Sequence, residues 1–257
     1  MRQPLSDDPI PPEILQEPKF YPYFKDCVGA IDGTHIHAHI PISEQAAWRN
    51  RKGFISQNVF AACSFDLQFT FVHAGWEGSA HDSLIWKDAY YKGRFKPPAG
   101  RYYLADAGFS SNEFMMIPYQ KVRYHLKEWE KANLRPQTKE ELFNLRHSQL
   151  RNAVERIFGV LKRKFKILAK APEYSFNYQV DLVLALTALH NFIAIRDRLT
   201  DPDFKAPQTF DEPIEPPPII QHSQAIPSQK MDRMRNDIAE NMWLDYQCIL
   251  RERELFL

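Results

Sequence analysis

Hydrophobic periodicity divides the chain into a first part that predicts strands and a second part that predicts helices. Cys27–Ile40 alternates with period two, as expected for a strand. Val59–Phe65 and Gln68–His73 are rich in β-forming residues around Asp66-Leu67 and predict a hairpin, and Arg101–Ala105 predicts another strand. Strands followed by helices favour an α+β fold over strict βαβ alternation. The simplest arrangement is an antiparallel meander with helices flanking the sheet.

The predicted helices follow from apolar residues at helical spacing. Ser79–Tyr91 predicts a short helix in which Ser79 is the cap and Asp82 completes a capping box. Further helices are predicted at 111–118, 137–148, 148–168, 178–198 and 230–254. In the 178–198 helix we expect one apolar stripe to belong to the core: Leu182, Leu186, Leu189 and Ile193.

Composition along the chain predicts four parts. Residues 1–24 are an irregular, proline-containing lead-in, and residues 25–199 form the main domain. Residues 200–229 are rich in proline, which is typical of an extended linker. Residues 230–257 form a C-terminal helix.

Charge and hydropathy limit the classes of partner. The formal net charge is +1, so attraction for an anionic partner requires a local basic patch. Val180–Ile195 is the longest apolar stretch, but Asp181, His190 and Asn191 interrupt it. We therefore expect a buried helix that is too short and too polar to span a bilayer, and no membrane partner.

The chain has three cysteines, Cys27, Cys63 and Cys248. Their odd number and the absence of C-x-x-C spacing indicate a reducing compartment.

Three carboxylates lie where a metal-dependent reaction would require them. Asp32 lies inside the first predicted strand, Asp106 follows a later strand, and Glu155 lies on the long helix. Oxygen ligands of this kind suit Mg²⁺ or Mn²⁺. Each acid also has a simpler interpretation, since Asp followed by Gly is common in turns, and Glu155 is placed to pair with Arg151 across one helical turn.

The long helix also carries most of the local positive charge. Glu155, Gly159, Lys162 and Lys166 share one face of the predicted 148–168 helix, so a carboxylate and two cations would line one groove. Residues 151–170 contain one acid, Glu155, and seven basic residues: Arg151, Arg156, Lys162, Arg163, Lys164, Lys166 and Lys170. Such a patch favours binding to a phosphate backbone.

Several motifs, in one order along the chain, resemble the PIF/Harbinger superfamily of DDE transposases and the nucleases derived from Harbinger elements. The resemblance covers roughly residues 25–195, and the segment 234–243 is similar to the family's C-terminal helix. The matching stretches are Gly29–Ile36, Asn50–Gly53 with Ser56 and Asn58, Gly78–Ser83, Leu104–Phe109 and Phe143–Lys162.

The resemblance implies a ribonuclease-H-like fold whose triad of Asp32, Asp106 and Glu155 binds two divalent ions, Mg²⁺ or Mn²⁺. It marks Asp82 as a further candidate metal ligand, beside the capping interpretation. The implied reaction is cleavage or transfer of DNA phosphodiesters by a two-metal mechanism. The candidates for holding the DNA backbone are Arg51, Lys52, Lys162 and Lys166.

The resemblance also bears on partners and location. DNA as a substrate implies the nucleus, with the cytoplasm as a second compartment. Transposases of this kind usually have an N-terminal DNA-binding region, whereas only 31 residues precede Asp32. A separate Myb-like protein would then supply recognition of specific DNA, and a homo-oligomer remains open.

Two alternatives remain at the level of sequence. One is a transposase-derived nuclear protein that binds DNA or a protein partner and no longer cleaves. The other is a zinc hydrolase, because His35, His37 and His39 alternate along one strand face and offer three ligands.

Overall fold

The computed structural model describes residues 1–109, 112–123, 135–205 and 229–255. Most of the predicted linker, residues 206–228, lies outside the described residues. The strands are β1 Cys27–His37, β2 Ser56–Cys63, β3 Phe69–Glu77, β4 Tyr102–Leu104 and β5 Met115–Met116. The α-helices are α1 Pro12–Leu15, α2 Gln45–Trp48, α3 Asp82–Tyr91, α4 Lys139–Lys164, α5 Phe176–Asp197, α6 Pro202–Lys205 and α7 Gln229–Leu255. Two 3-10 turns cover Ile42–Glu44 and Lys166–Ala169.

The strands form one mixed sheet in the order β3-β2-β1-β4-β5. β1, β2 and β3 are antiparallel neighbours, which confirms the meander for this part of the sheet. β4 and β5 are parallel, so the meander does not extend through the whole sheet. The predicted hairpin at Asp66-Leu67 is confirmed: the turn closes by hydrogen bonds between Ser64 and Gln68, and Leu67 has a φ of 63°. The sheet and its flanking helices confirm the predicted α+β class.

The chain divides into two compact units. The first contains residues 1–5, 29–97 and 153–216, and the second contains residues 6–28, 98–152 and 217–257. β1 and α4 each contribute residues to both units. The predicted boundaries at residues 24, 199 and 229 stay a prediction.

The core of the first unit lies around aromatic side chains between β2, β3 and the segment after α3. Phe60 and Phe71 both contact the ring of Phe95, at centroid distances of 5.7 and 5.1 Å. Ile85 and Ala89 of α3 are fully buried. These contacts fix α3 against the sheet and so position its first residue, Asp82.

The predicted core stripe of α5 is only partly buried, because Leu182, Leu186 and Ile193 are half-buried and none of the four residues lies on the fully buried line. The buried line on this helix consists of Gln179, Val183, Thr187, His190 and Ala194, whereas Leu189 is 44% exposed. The reason is hydrogen bonding to the edge of the sheet. Asn191 accepts from the Phe69 amide and donates to the Phe69 carbonyl, both at 2.7 Å, and His190 donates to the Leu67 carbonyl. Polar side chains thus form part of the buried line, whereas Leu189 lies on the exposed side of the helix.

Within the described residues, α5 is the one helix whose length and composition would allow it to cross a membrane. The most apolar window of α5 has a mean hydropathy of 1.4, and 33% of that window is buried. Length and composition therefore do not exclude a span, contrary to the expectation from the sequence. A core helix passes the same test, and hydrogen bonds from α5 to β3 are those of a helix packed on a sheet.

The second unit is built around the first half of α4. Phe143 lies 5.9 Å from the ring of Phe24 and 5.5 Å from that of Tyr119. Arg101 donates to the Ser6 and Asp8 carbonyls, which fixes part of the proline-containing lead-in. These contacts give the lead-in a defined path although it has little regular structure.

Three further predictions of helices and their ends from the local sequence are wrong. The capping box is wrong, because α3 begins at Asp82 with His81 as its N-cap residue. The helix predicted at 111–118 is wrong over its described residues, because Met115 and Met116 pair with β4. The helices predicted at 137–148 and 148–168 are one helix that ends at Lys164, where Phe165 leaves the helical region (φ −111°, ψ 79°).

Candidate active site

Asp32 lies on β1, where Ala61 of β2 is its antiparallel neighbour. Its carboxylate accepts a hydrogen bond from the Gly33 amide at 2.9 Å. The side chain is half-buried, so it is held by the sheet and remains accessible to solvent. A carboxylate in this environment is available as a metal ligand.

Asp82 lies directly against the backbone of Gly33. A Cβ at position 33 would be 2.1 Å from Oδ1 of Asp82, a separation that real side chains do not adopt. Oδ1 also accepts a hydrogen bond from the buried amide of Asn58 at 2.7 Å, and the same amide donates to the Ala80 carbonyl at 3.0 Å. Glycine at position 33 is therefore required for this close approach.

Strand alternation places Asp32 and Asp82 on different sides of β1. Successive side chains of a strand point to opposite faces, so Asp32 points away from the face on which Gly33 would carry a side chain. Asp82 and Asn58 lie on the Gly33 face. The contacts of Asp82 fix the start of α3 to the sheet, and its role as a metal ligand stays a prediction.

Glu155 lies on the part of α4 that belongs to the first unit, and its side chain is half-buried. One turn further along, Phe158 packs against Phe69 of β3 at 5.9 Å. Phe69 pairs with Cys63, which pairs with Ala30, and Ala30 shares a strand face with Asp32. We infer that this part of α4 packs on the side of the sheet to which Asp32 points.

Arg51 and Lys52 lie on an exposed turn between α2 and β2. The buried side chain of Asn50 accepts hydrogen bonds from the amides of Lys52 and Phe54, at 3.0 and 3.3 Å, which shapes the turn. The guanidinium of Arg51 lies 3.4 Å from Nδ1 of His81, the residue before Asp82. The structure thus brings this basic turn to the start of α3.

Asp106 lies in the second unit, just after β4. One carboxylate oxygen accepts from the Gly108 amide at 3.0 Å, which is the geometry of an Asx turn. The other lies 3.6 Å from the guanidinium of Arg151 on α4. The Arg151 side chain is only 4% exposed, while that of Asp106 is 30% exposed. The expected turn residue is therefore also an ion-pair partner.

Three polar residues on one face of α4 organise this part of the second unit. Asn144 binds both backbone groups of Tyr119, and His147 donates to the Met116 carbonyl at 3.0 Å. Arg151 is the third of these residues. Complete burial lowers the pKa of His147 to about 3, and the positive charge of Arg151 acts in the same direction. His147 is therefore neutral at physiological pH.

Much of the predicted basic patch on α4 is engaged within the protein. Lys164 binds Asp201 at 2.5 Å and Asp203 at 3.1 Å. Arg163 and Arg156 donate to the carbonyls of Asp203 and Phe204, at 2.7 and 3.2 Å. The predicted linker therefore begins with a short helix, α6, whose residues contact α4. Lys166 lies in a 3-10 turn after the end of α4, so its predicted place on the Glu155 face is wrong.

Among the described residues, no group of three or more His, Cys, Asp or Glu side chains is arranged to hold a metal ion. Neither the three acids nor the three histidines form such a group in this part of the chain. His35 lies 3.1 Å from the Ser56 hydroxyl, and the ring of His37 stacks on Phe54. The donor chemistry of the carboxylates fits Mg²⁺ or Mn²⁺, because both ions prefer oxygen ligands.

Sequence comparison identifies the class of protein. The profile of the DDE superfamily endonuclease family matches residues 31–191, more than half of the chain. The chain therefore belongs to this family, which confirms the resemblance seen in the motifs. Members of the superfamily typically use divalent metal ions. The mixed sheet with its flanking helices is consistent with a ribonuclease-H-like DDE fold.

The relatives include proteins named as nucleases. Putative nuclease HARBI1 from Bos taurus and from Homo sapiens are each 25% identical to this chain over 219 residues, which cover 82% of the chain and 57% of each relative. Protein ALP1-like from Arabidopsis thaliana is 30% identical over 160 residues, which cover 56% of the chain and 36% of the relative. The chain thus spans little more than half the length of the HARBI1 relatives. No solved structure gives a significant match.

Sequence reasoning missed two partnerships in this region. It placed Arg151 in the basic patch or beside Glu155 and did not predict that its guanidinium lies 3.6 Å from Asp106. It gave no role to Asn58 beyond a motif match, although its buried amide holds Asp82. The motif positions indicated that these residues are important. They could not indicate which side chain each one contacts, because those partners are brought together only by the tertiary fold.

Proposed function

We propose that this chain is the catalytic domain of a divalent-metal-dependent DNA endonuclease or transposase. Asp32, Asp106 and Glu155 are its catalytic acids, and each would hold a metal ion through carboxylate oxygen. The observation that carries the proposal is the position of Asp32 on β1, on the sheet side against which the Glu155 segment of α4 packs. Membership of the DDE endonuclease family and similarity to proteins named as nucleases support it.

The bound ions, Mg²⁺ or Mn²⁺, would supply Lewis acidity to activate the attacking oxygen and stabilise the leaving oxygen of a phosphodiester. The carboxylates act as ligands rather than nucleophiles. Asp32 lies on a strand and Glu155 on a helix, and rigid elements of this kind position ligands more precisely than loops do. The exposed turn of Arg51 and Lys52 would hold the DNA backbone, with Lys162 and Lys166 as further candidates.

The test is cleavage of supercoiled duplex DNA by the chain in Mg²⁺ or Mn²⁺, with EDTA as the metal-free control. We expect Asp32→Asn, Asp106→Asn and Glu155→Gln each to reduce the rate at least about a hundredfold, because each removes a charged ligand. Glu44→Gln, at an exposed position, is the matched control. Cleavage that persists in all three variants would refute the site.

Asp82→Asn separates the two assignments of Asp82. If Asp82 is a metal ligand, this variant loses cleavage like Asp32→Asn. If its role is to hold α3 against β1 through Asn58, the variant lowers stability and leaves metal-dependent cleavage largely intact at low temperature. We favour the second outcome, because the carboxylate lies on the Gly33 face of the strand.

A second candidate function is a DNA- or protein-binding protein that no longer cleaves. One observation favours it: the Asp106 carboxylate already has the buried guanidinium of Arg151 as a cationic neighbour at 3.6 Å. Calorimetric titration with Mn²⁺ distinguishes the two functions. The catalytic proposal requires binding that Asp32→Asn and Asp106→Asn weaken, whereas the alternative requires DNA binding without such a metal site.

Location and partners form part of the same proposal. DNA as substrate implies the nucleus, and a separate Myb-like protein would supply sequence-specific recognition. The location of reporter-tagged protein in cells tests this prediction, and a protein found in the cytoplasm would contradict it. A chain that selects one duplex sequence by itself, without a partner protein, would contradict the need for the Myb-like protein.

A further inference from the structure

The outer face of α5 is apolar and exposed. Its line of side chains turns away from β3, while the polar line of Gln179, Thr187 and His190 is buried against the sheet. The most exposed members, with the fraction exposed, are Tyr178 (67%), Leu189 (44%), Phe192 (56%), Ile195 (70%) and, just after the helix, Leu199 (79%). A contiguous apolar patch on one element usually marks an interaction surface.

The apolar residues on this face repeat at alternating intervals of three and four. Tyr178, Ala185, Leu189 and Phe192, which are exposed, and Leu182, which is half-buried at the edge of the face, follow this spacing. It is the pattern by which one helix packs along another. At about 1.5 Å per residue, the helix offers a face roughly 30 Å long. The face is therefore long enough to form a helix–helix interface without contributions from neighbouring loops.

The charges on this face are self-complementary. Asp181 and Arg196 are both exposed and lie at equal distances on either side of the midpoint between Ala188 and Leu189. If two copies of α5 run antiparallel about a two-fold axis at that midpoint, Asp181 of each copy lies level with Arg196 of the other. A two-fold axis repeats the pair, so the interface contains it twice.

The sizes of the side chains match in the same way. Ala185 and Phe192 are also equidistant from the midpoint, so a small residue on one helix lies level with a large ring on the other. The Arg196 guanidinium lies 5.4 Å from the Phe192 ring within one chain, which keeps the cation on this face. An antiparallel pair would thus join complementary charges and complementary volumes along one line.

We propose that the exposed face of α5 is a homodimer interface, in which α5 of one copy packs antiparallel on α5 of a second copy. The proposal is independent of the catalytic function. A membrane or an unrelated protein would also cover apolar side chains. We favour a second copy because one antiparallel register pairs the exposed acid Asp181 with the exposed base Arg196 and also sets Ala185 against Phe192.

The test is an exchange of charge at the two positions. Asp181→Arg places two arginines opposite each other, and Arg196→Asp places two aspartates opposite each other, so each variant alone should weaken the dimer about tenfold or more. The double variant D181R/R196D restores opposite charges and should dimerise like the wild type. A mixture of the two single variants should form a heterodimer, because both charge pairs are then attractive.

Sedimentation equilibrium gives the mass of each form over a wide range of concentration, and native mass spectrometry of a size-tagged variant detects the heterodimer. Phe192→Ala should also dissociate the dimer, whereas Ile42→Ala, at a position that is 90% exposed and outside α5, should not. Circular dichroism checks that each variant is folded.

Three results would overturn the proposal. The first is a wild-type chain that stays monomeric at all concentrations. The second is a dimer that the single variants do not weaken or that the exchange does not restore. The third is flotation of a monomeric wild type with phosphatidylcholine vesicles, which would assign the face to a membrane.

Discussion

The guanidinium of Arg151 lies 3.6 Å from the carboxylate of Asp106, and the arginine is almost completely buried. A buried guanidinium keeps its positive charge, because its pKa is too high for deprotonation to relieve the cost of burial. It therefore holds the Asp106 side chain in a defined position. In the proposed enzyme, the same carboxylate would have to bind a metal ion beside this cation.

The first prediction concerns the stability that this pair provides. Asp106→Asn should lower the free energy of unfolding by about 1–2 kcal/mol, because Arg151 stays buried after its charged neighbour is removed. We place the loss below that of a fully buried pair, since the carboxylate is 30% exposed and the separation is long. Urea denaturation measures the change.

The control is a double-mutant cycle with Arg151→Met. If the two side chains interact, the double variant D106N/R151M should lose less stability than the sum of the single variants. Additive losses would show that the pair contributes nothing. Cleavage by Asp106→Asn should be assayed well below its melting temperature, so that lost stability is not mistaken for lost catalysis.

The second prediction concerns acid sensitivity caused by His147. Its pKa is lowered from 6.5 to about 3 in the folded protein, chiefly by burial. Between these values the unfolded chain binds a proton that the folded chain does not. Stability is therefore full above pH 6.5 and falls as the pH decreases toward 3. At pH 5 the loss from this residue should be about 2 kcal/mol.

His147→Gln provides the matched variant, because its amide nitrogen can replace Nε2 as donor to the Met116 carbonyl without titrating. Burial also lowers the pKa values of His73 and His190, so these residues add acid sensitivity that the variant retains. The readout is thus the difference in urea stability between wild type and variant at pH 7 and pH 5. Equal pH slopes in the two proteins would contradict the assignment.

The sequence was sufficient where structure is local. The β2–β3 hairpin and the helix at α7 followed from alternation, helical spacing and turn residues. It failed at Met115 and Met116, whose strand exists because they pair with β4, a contact that no window of neighbouring residues reveals. It failed similarly at α5, where hydrogen bonds to Leu67 and Phe69 decide which face is buried.

At the candidate site, too, the sequence predicted the residues but not their long-range contacts. The motifs identified Asp32, Asp82, Asp106 and Glu155 as residues of interest, but not their partners. The predicted basic patch assumed that charges on α4 face solvent, whereas Lys164 binds Asp201 and Asp203 instead. A list of residue types contains no information on such pairing across the chain, so the sequence overestimated the positive surface.

The third prediction tests the contact between Gly33 and Asp82. Gly33→Ala should lower the free energy of unfolding by about 2–3 kcal/mol, because the new methyl group would overlap the Asp82 carboxylate and break its hydrogen bond to Asn58. In an Asp82→Ala background the overlap disappears. The same substitution should then cost less than about 0.5 kcal/mol, since alanine is tolerated in a strand.

Gly159→Ala is the control for the third prediction. Gly159 lies inside α4, and the nearest atom to an added Cβ is the flexible end of Arg163 at 3.4 Å. Alanine there should raise stability by up to about 1 kcal/mol, because glycine is a poor helix former. Equal effects of Gly33→Ala in the presence and absence of the Asp82 carboxylate would contradict the proposed contact.

The fourth prediction separates the cations that bind DNA from those that hold the fold. Lys52 lies on the exposed turn shaped by Asn50, so Lys52→Ala should flatten the slope of log K against log salt concentration by about one unit. Lys164 is engaged by two aspartates. Its burial lowers its pKa, but the bonds to Asp201 and Asp203 outweigh this effect and raise it. Lys164→Ala should therefore leave the salt slope unchanged.

Fluorescence anisotropy with a labelled duplex at several salt concentrations measures the slope for each protein. Lys164→Ala should instead cost up to about 1 kcal/mol of stability, because it releases α6 from α4. The double variant K52A/K164A should have the salt slope of Lys52→Ala alone. If Lys164→Ala flattens the slope as much as Lys52→Ala does, then Lys164 exchanges its aspartates for phosphates when DNA binds, and the α4 patch is part of the DNA-binding surface after all.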